Sequence, residues 1–162
     1  MMHSENSATF SREEIIERIR IALPLSVREY EMISGQPPRL IPEAWIATDI
    51  AKALGKNTSL RVVPEASMRD IGIPTRGKID LVIYDRDRLF PQCLIEIKGH
   101  KSLWRSVASD CERIRLILQH HPKIEFGLFV YVSGEMAQIN DENRTEIARH
   151  KRTLIQWAKV DA

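Results

Sequence analysis

The run IEFGLFVYV, residues 124–132, constrains the fold more than any other stretch of the chain. It is far shorter than the ~20 apolar residues that span a bilayer. It also lacks the alternation of a strand with one face in water. A short apolar run of this kind reads as a central strand covered on both faces. The rest of the chain must then supply amphipathic layers for two sides of a sheet. Residues 102–121, SLWRSVASDCERIRLILQHH, read as one such helix, with Leu103, Val107, Ile114, Ile117 and Leu118 toward the core and Pro122 as its stop. Residues 141–160, DENRTEIARHKRTLIQWAKV, read as a closing amphipathic helix capped by Asp141.

Upstream, residues 1–10 read as a frayed arm. Ser11 with Glu14 three residues later makes a capping box before Ile15, Ile16 and Ile19. Ser26 and Glu29 repeat that spacing, and Pro24 lies between them, so two short helices are expected. SGQPPRLIP, 34–42, is a loop. PEAWIATDIAKALG, 42–55, is a helix with Pro42 at its first position, Gly55 just past its end, and Ile46, Ile50, Ala53 and Leu54 on one face. SLRVV, 59–63, is a strand ending near Pro64, and 66–77 form an irregular loop. KIDLVIY, 78–84, and CLIEIK, 93–98, are strands joined by a polar turn at DRDR.

The order from residue 42 is helix, three strands, helix, strand. Short turns make the first three strands an antiparallel meander. The long helix before the fourth makes a right-handed crossover between parallel strands. The expected fold is α/β, a three-layer α/β/α arrangement around a mixed sheet. At 162 residues the chain reads as one domain: an N-terminal arm with short helices (1–41), a core (42–133) and a C-terminal helix (134–162).

Composition adds exclusions. The net charge of +2 is too mild to argue for nucleic acid by itself. No membrane segment or apolar leader is visible, and two cysteines outside any CxxC spacing suit reduced thiols in the cytoplasm. The five histidines show no zinc-type spacing with them. No phosphate-binding glycine loop, nucleophile elbow or DNA-reading module is present.

Two of the strands carry charge among Ile, Leu and Val: Asp80 in the first, Glu96 and Lys98 in the second. Residues two apart share a strand face, so Glu96 and Lys98 point the same way. Ile79, Leu81 and Ile83 take one face of their strand, which leaves Asp80 to the other. Neighbouring strands would set Asp80 beside Glu96. Two adjacent carboxylates repel, and a hard divalent cation relieves that repulsion. A lysine beside it can stabilise a charged transition state or help deprotonate water. The competing reading is an ion pair of Lys98 with Asp80 or Glu96.

Ile79-Asp80, fifteen intervening residues, then Glu96-Ile97-Lys98 at the next strand's end resembles the PD-(D/E)xK nuclease superfamily. The element order from 42 to about 133 resembles that family's core as well. Ile79 stands where the family's motif has proline. The resemblance implies Mg²⁺- or Mn²⁺-dependent hydrolysis of DNA, with Asp80, Glu96 and the Ile97 carbonyl on metal and Lys98 assisting the water or the transition state. It also implies a glutamate from the first core helix, for which Glu43 is the candidate, with Glu65 as its competitor. Arg76, Lys101 and Arg105 are candidate phosphate contacts, with Arg113 and Arg115 as further basic residues. Asp110 and Arg113, three apart on a helix, can instead pair with each other. Trp45, Trp104 and Trp157 suit packing better than base stacking, and His100 suits the surface. A homodimer or partner subunit is compatible with the missing DNA-reading module. The alternatives are a catalytically inactive binding module of this fold and a nuclease acting on RNA.

Overall fold

The computed structural model describes residues 10–85, 89–99, 104–133 and 153–159. His100, Lys101, Leu103 and most of the expected C-terminal helix lie outside these ranges. The described residues form nine elements: α1 (Arg12–Ser34), a 3-10 turn (Pro38–Leu40), α2 (Glu43–Gly55), β1 (Arg61–Ser67), β2 (Lys78–Tyr84), β3 (Cys93–Lys98), α3 (Trp104–His120), β4 (Phe126–Ser133) and β5 (Thr153–Lys159).

The strands form one mixed sheet in the order β1-β2-β3-β4-β5. β1, β2 and β3 are the antiparallel meander, and β3, β4 and β5 are parallel. Apolar side chains separate into two clusters, one on each face. Ile15, Ile19, Ile46 and Ile50 of α1 and α2 pack on Leu81, Ile83, Ile95, Ile97, Leu128 and Val130. Ile114, Ile117 and Leu118 of α3 pack on Val82, Tyr84 and Leu94. The α/β fold with helices on both faces thus follows from the strand alternation, as the apolar run at 124–132 requires.

Four local expectations are corrected. α1 is one helix that passes through Pro24. Its N-terminal box holds, with Ser11 N–H donating to Glu14 Oε2 at 2.6 Å and Glu14 N–H to Ser11 Oγ at 3.2 Å. Pro24 is exposed, so the bond missing at its nitrogen falls on the solvated side. Burial of Ile15, Ile19, Leu23, Val27 and Tyr30 continues on both sides of it and holds the helix together. Ser26 caps nothing; its hydroxyl donates to Asp49 Oδ2 at 2.7 Å and ties α1 to α2.

β1 continues through Pro64 to Ser67. It is an edge strand, where a proline nitrogen can face away from the neighbour. Ile79 joins the cluster beneath α3, unlike Leu81 and Ile83. The pairing of β1 with β2 explains this: Pro64 meets Leu81 and Ala66 meets Ile79, while Glu65 between them takes a left-handed backbone with φ of 46°. Face alternation is lost there in both strands.

The largest correction is at the C-terminus. Residues 153–159 form strand β5, not a helix, and pair with β4 from Gly127↔Thr153 to Ser133↔Lys159. β4 would otherwise expose a whole edge of unpaired backbone groups, and β5 satisfies them.

Gly127 sets the distance of α3 from the sheet. A Cβ built there would overlap Ile114 Cγ2 and lie 3.3 Å from Leu118 Cδ1. Ile114 is fully buried and β-branched, so it has no room to turn. Gly127→Ala should therefore destabilise the protein by about 1–3 kcal/mol, the usual range for overpacking. Urea denaturation would check this, and an unchanged midpoint would show that α3 can lift off β4 without penalty.

Candidate functional site

The site forms where β2 and β3 part. Their pairing runs Ile83↔Cys93, Val82↔Leu94 and Leu81↔Ile95. One step further the same register sets Asp80 opposite Glu96. Main-chain pairing has stopped by then, and the Asp80 carboxylate replaces it by accepting from Ile97 N–H at 2.7 Å. Asp80 is thus fixed by the backbone of the strand that carries Glu96 and Lys98. Among the described residues no lysine or arginine pairs with it.

Glu96 is only 2% exposed. Alternation sends it to the α3 face, where it accepts from Arg113 Nη2. Burial, then the Asp80 charge beside it, push the Glu96 pKa up to about 9, and the Arg113 guanidinium offsets only part of this. Lys98 also faces α3, and its ammonium lies 2.8 Å from Asp110 Oδ2. Burial pulls the Lys98 pKa down, but Asp110, with Glu43 and Glu96 nearby, outweighs it and the net shift is upward. Lys98 is therefore held in its charged form.

The expected ion pair of Lys98 with Asp80 or Glu96 is replaced by one with Asp110. Asp110 and Arg113 do approach each other, at 3.5 Å, but each also reaches down to β3. The sequence pattern showed this pair only as helix neighbours. Its role in the site depends on how α3 is turned, which periodicity hints at through Ile114 and Ile117 on the same buried side.

Glu43 lies in the first turn of α2, and its Oε1 accepts from Gly99 N–H at 2.9 Å, just beyond the end of β3. It comes over the strand end from the layer opposite α3. Glu65 is elsewhere: it is exposed and pairs with Lys78 at 3.3 Å, turned outward by its left-handed backbone. Arg76 is exposed in the loop before β2 and lines a groove of about 660 Å³ together with Arg113, Met68, Ile73 and Leu116. Arg105 is exposed at the start of α3, whereas Arg115 is held by Glu112. Trp45 packs edge-on against Tyr30, with ring centres 5.5 Å apart. A cavity of about 850 Å³ lies between α1 and α2 and includes none of the charged cluster.

No group of three or more histidine, cysteine or acidic side chains is gathered as a ready metal cage among the described residues. The donor set at Asp80 and Glu96 is two carboxylates. That is enough for Mg²⁺, which commonly takes one or two carboxylates and keeps its waters, and it is unlike a closed zinc site. Cys93 and Cys111 are both buried and free, and burial first of all pushes the Cys111 thiol up to about 12. No helix among the described residues is long and apolar enough to cross a membrane. Compared with protein-family models, curated proteins and solved structures, the chain finds no match.

The raised Glu96 pKa fixes the sign of a pH dependence. The folded protein keeps a proton on Glu96 that the unfolded chain, with a pKa near 4.5, releases early. The folded state binds more protons between the two values, so stability falls as pH rises through that window. Without added divalent cation, the thermal midpoint should drop steadily from about pH 5 to about pH 9. Glu96→Gln, which carries no charge to desolvate, should flatten most of that slope. An identical slope in both proteins would show that Glu96 is ionised without penalty.

Proposed function

We propose that the protein is a divalent-metal-dependent nuclease that hydrolyses DNA phosphodiester bonds. The observation that supports this most is the pair Asp80 and Glu96, two carboxylates crowded together where β2 and β3 part, one of them buried. Such a pair is costly without a cation between its members. Asp80 and Glu96 are the residues that would hold Mg²⁺ or Mn²⁺. The Ile97 carbonyl, on the same strand edge as the N–H given to Asp80, is a third donor. Bound there, the ion would supply an activated water and positive charge for phosphate oxygens.

The chain's own residues would do the rest. Lys98, held charged by Asp110, fits stabilisation of the negative charge that grows on the phosphate better than proton abstraction. Glu43, anchored on Gly99 N–H, would orient water at the open end of β3. Arg76 and Arg105, both exposed, are available to a phosphate backbone, and Lys101 would join them. A cytoplasmic location goes with this reading, as do the free thiols. A second copy or partner subunit would supply any sequence preference.

One observation favours a second reading, a catalytically inactive module that binds nucleic acid or protein. Glu96 and Lys98 already have protein partners, Arg113 and Asp110, so the network can be read as finished without a metal. Cleavage assays on linear, circular and single-stranded DNA and on RNA, with Mg²⁺, Mn²⁺ or EDTA, separate the two. Lys98→Ala should lower the rate about 10²–10³-fold while still binding Mn²⁺. Asp80→Ala should lose both cleavage and binding. Absence of cleavage by the wild type, with no metal-induced rise in thermal midpoint, would leave the binding module.

A further inference from the structure

Arg113 stands between Glu96 and the groove. Its side chain is about one-third exposed (34%), while that of Glu96 is 3% exposed. Arg113 lines the groove and Glu96 does not. The guanidinium is shared among several acceptors: Nη2 bonds Glu96 and lies 3.5 Å from Asp110 Oδ1, and Nη1 donates to the Lys78 carbonyl at 3.3 Å. Its Nε is buried with no partner among the described residues. One oxygen of Glu96 is thus taken by a cation that has a second carboxylate within reach on its own helix.

We propose that Arg113 is an exchangeable internal partner of Glu96, displaced when a divalent cation binds. This rests on the metal-site reading above. A divalent cation takes Glu96 as the ionised carboxylate, its proton leaving to solvent, and a guanidinium on the same carboxylate then repels the ion and competes for its oxygen. On binding, the guanidinium lets go of Glu96, moves fully onto Asp110 and turns toward the groove beside Arg76. Arg113 is then a positioning residue that sets the affinity of the site through Glu96. Metal binding must first release Arg113, so the apparent affinity is lowered by the fraction of molecules in which it is bound. The same step brings a positive group into the groove when the site is loaded, where it faces an anionic ligand.

The test is Mn²⁺ titration calorimetry on the full chain without nucleic acid. It compares wild type, Arg113→Met, Arg76→Met and Asp80→Asn. Arg113→Met should bind about tenfold tighter or more, because the competitor is gone. Arg76→Met removes the same charge from the groove without touching Glu96. It should change affinity by no more than about twofold, as a screened exposed charge does. Equal or weaker binding by a folded Arg113→Met, with wild-type binding abolished by Asp80→Asn, would overturn the role of Arg113 and leave the metal site standing. Equal tightening by Arg76→Met and Arg113→Met would reduce the effect to general charge and overturn the exchange as well. No binding by wild type or Arg113→Met would remove the metal site and this inference together. If Arg113→Met does not fold, the Arg113 Nε–Hε resonance of the wild type answers instead. It should shift on saturation with Mg²⁺, and an unmoved resonance would overturn the exchange.

Discussion

β3 carries a carboxylate at a place where a strand covered on both faces has no water to offer it. Glu96 is surrounded by Ile95 and Ile97 along the strand, α3 above it and Asp80 across the gap from β2. A buried carboxylate persists only with partners. Much of the local architecture follows from meeting that need. α3 must be turned so that Arg113 reaches Glu96, which brings Asp110 over Lys98. Gly127 lets α3 sit close enough to the sheet to do so.

The gap between β2 and β3 has the same origin. Asp80 takes the Ile97 N–H that a main-chain carbonyl would have taken, so the acid acts as the hinge of the splayed strands. Opposite Asp80 in β1, Glu65 adopts its left-handed backbone, and both strands lose their alternation. The result is a sheet that is regular through Leu81 and Ile95 and opens beyond them. Charge is concentrated at the opening because backbone pairing no longer fills it.

The proposed competition for Glu96 would link structure to function. The arginine that makes the buried carboxylate tolerable also stands where a ligand would enter from the groove. On the proposed reading, a site of this kind is balanced between an ion-pair network and a metal centre. Small changes in the charge of its partners decide which of the two prevails. The same residues therefore support both functional readings, which differ in how Glu96 behaves toward an added cation.

Local chemistry was sufficient for much of this. Strands at 78–84 and 93–98, the Ser11 capping box and the helix from Glu43 were legible because periodicity, caps and turns act within a few residues. So was the shared face of Glu96 and Lys98, since alternation is a property of one strand. The juxtaposition of Asp80 with Glu96 needed only a short turn. Contacts far apart in sequence were not legible. Residues 153–159 carry a pattern that suits a helix, yet they form a strand because β4 presents an open edge to them. Pro24 stays helical because burial on both sides outweighs its missing hydrogen bond. Arg113 and Asp110 looked like a helix pair, and the packing of α3 on β3 gave them Glu96 and Lys98 instead. The sequence by itself determined which residues were charged and that Glu96 and Lys98 share one face of their strand. Tertiary structure decided their partners, because the energy of a buried charge depends on what the rest of the chain brings next to it.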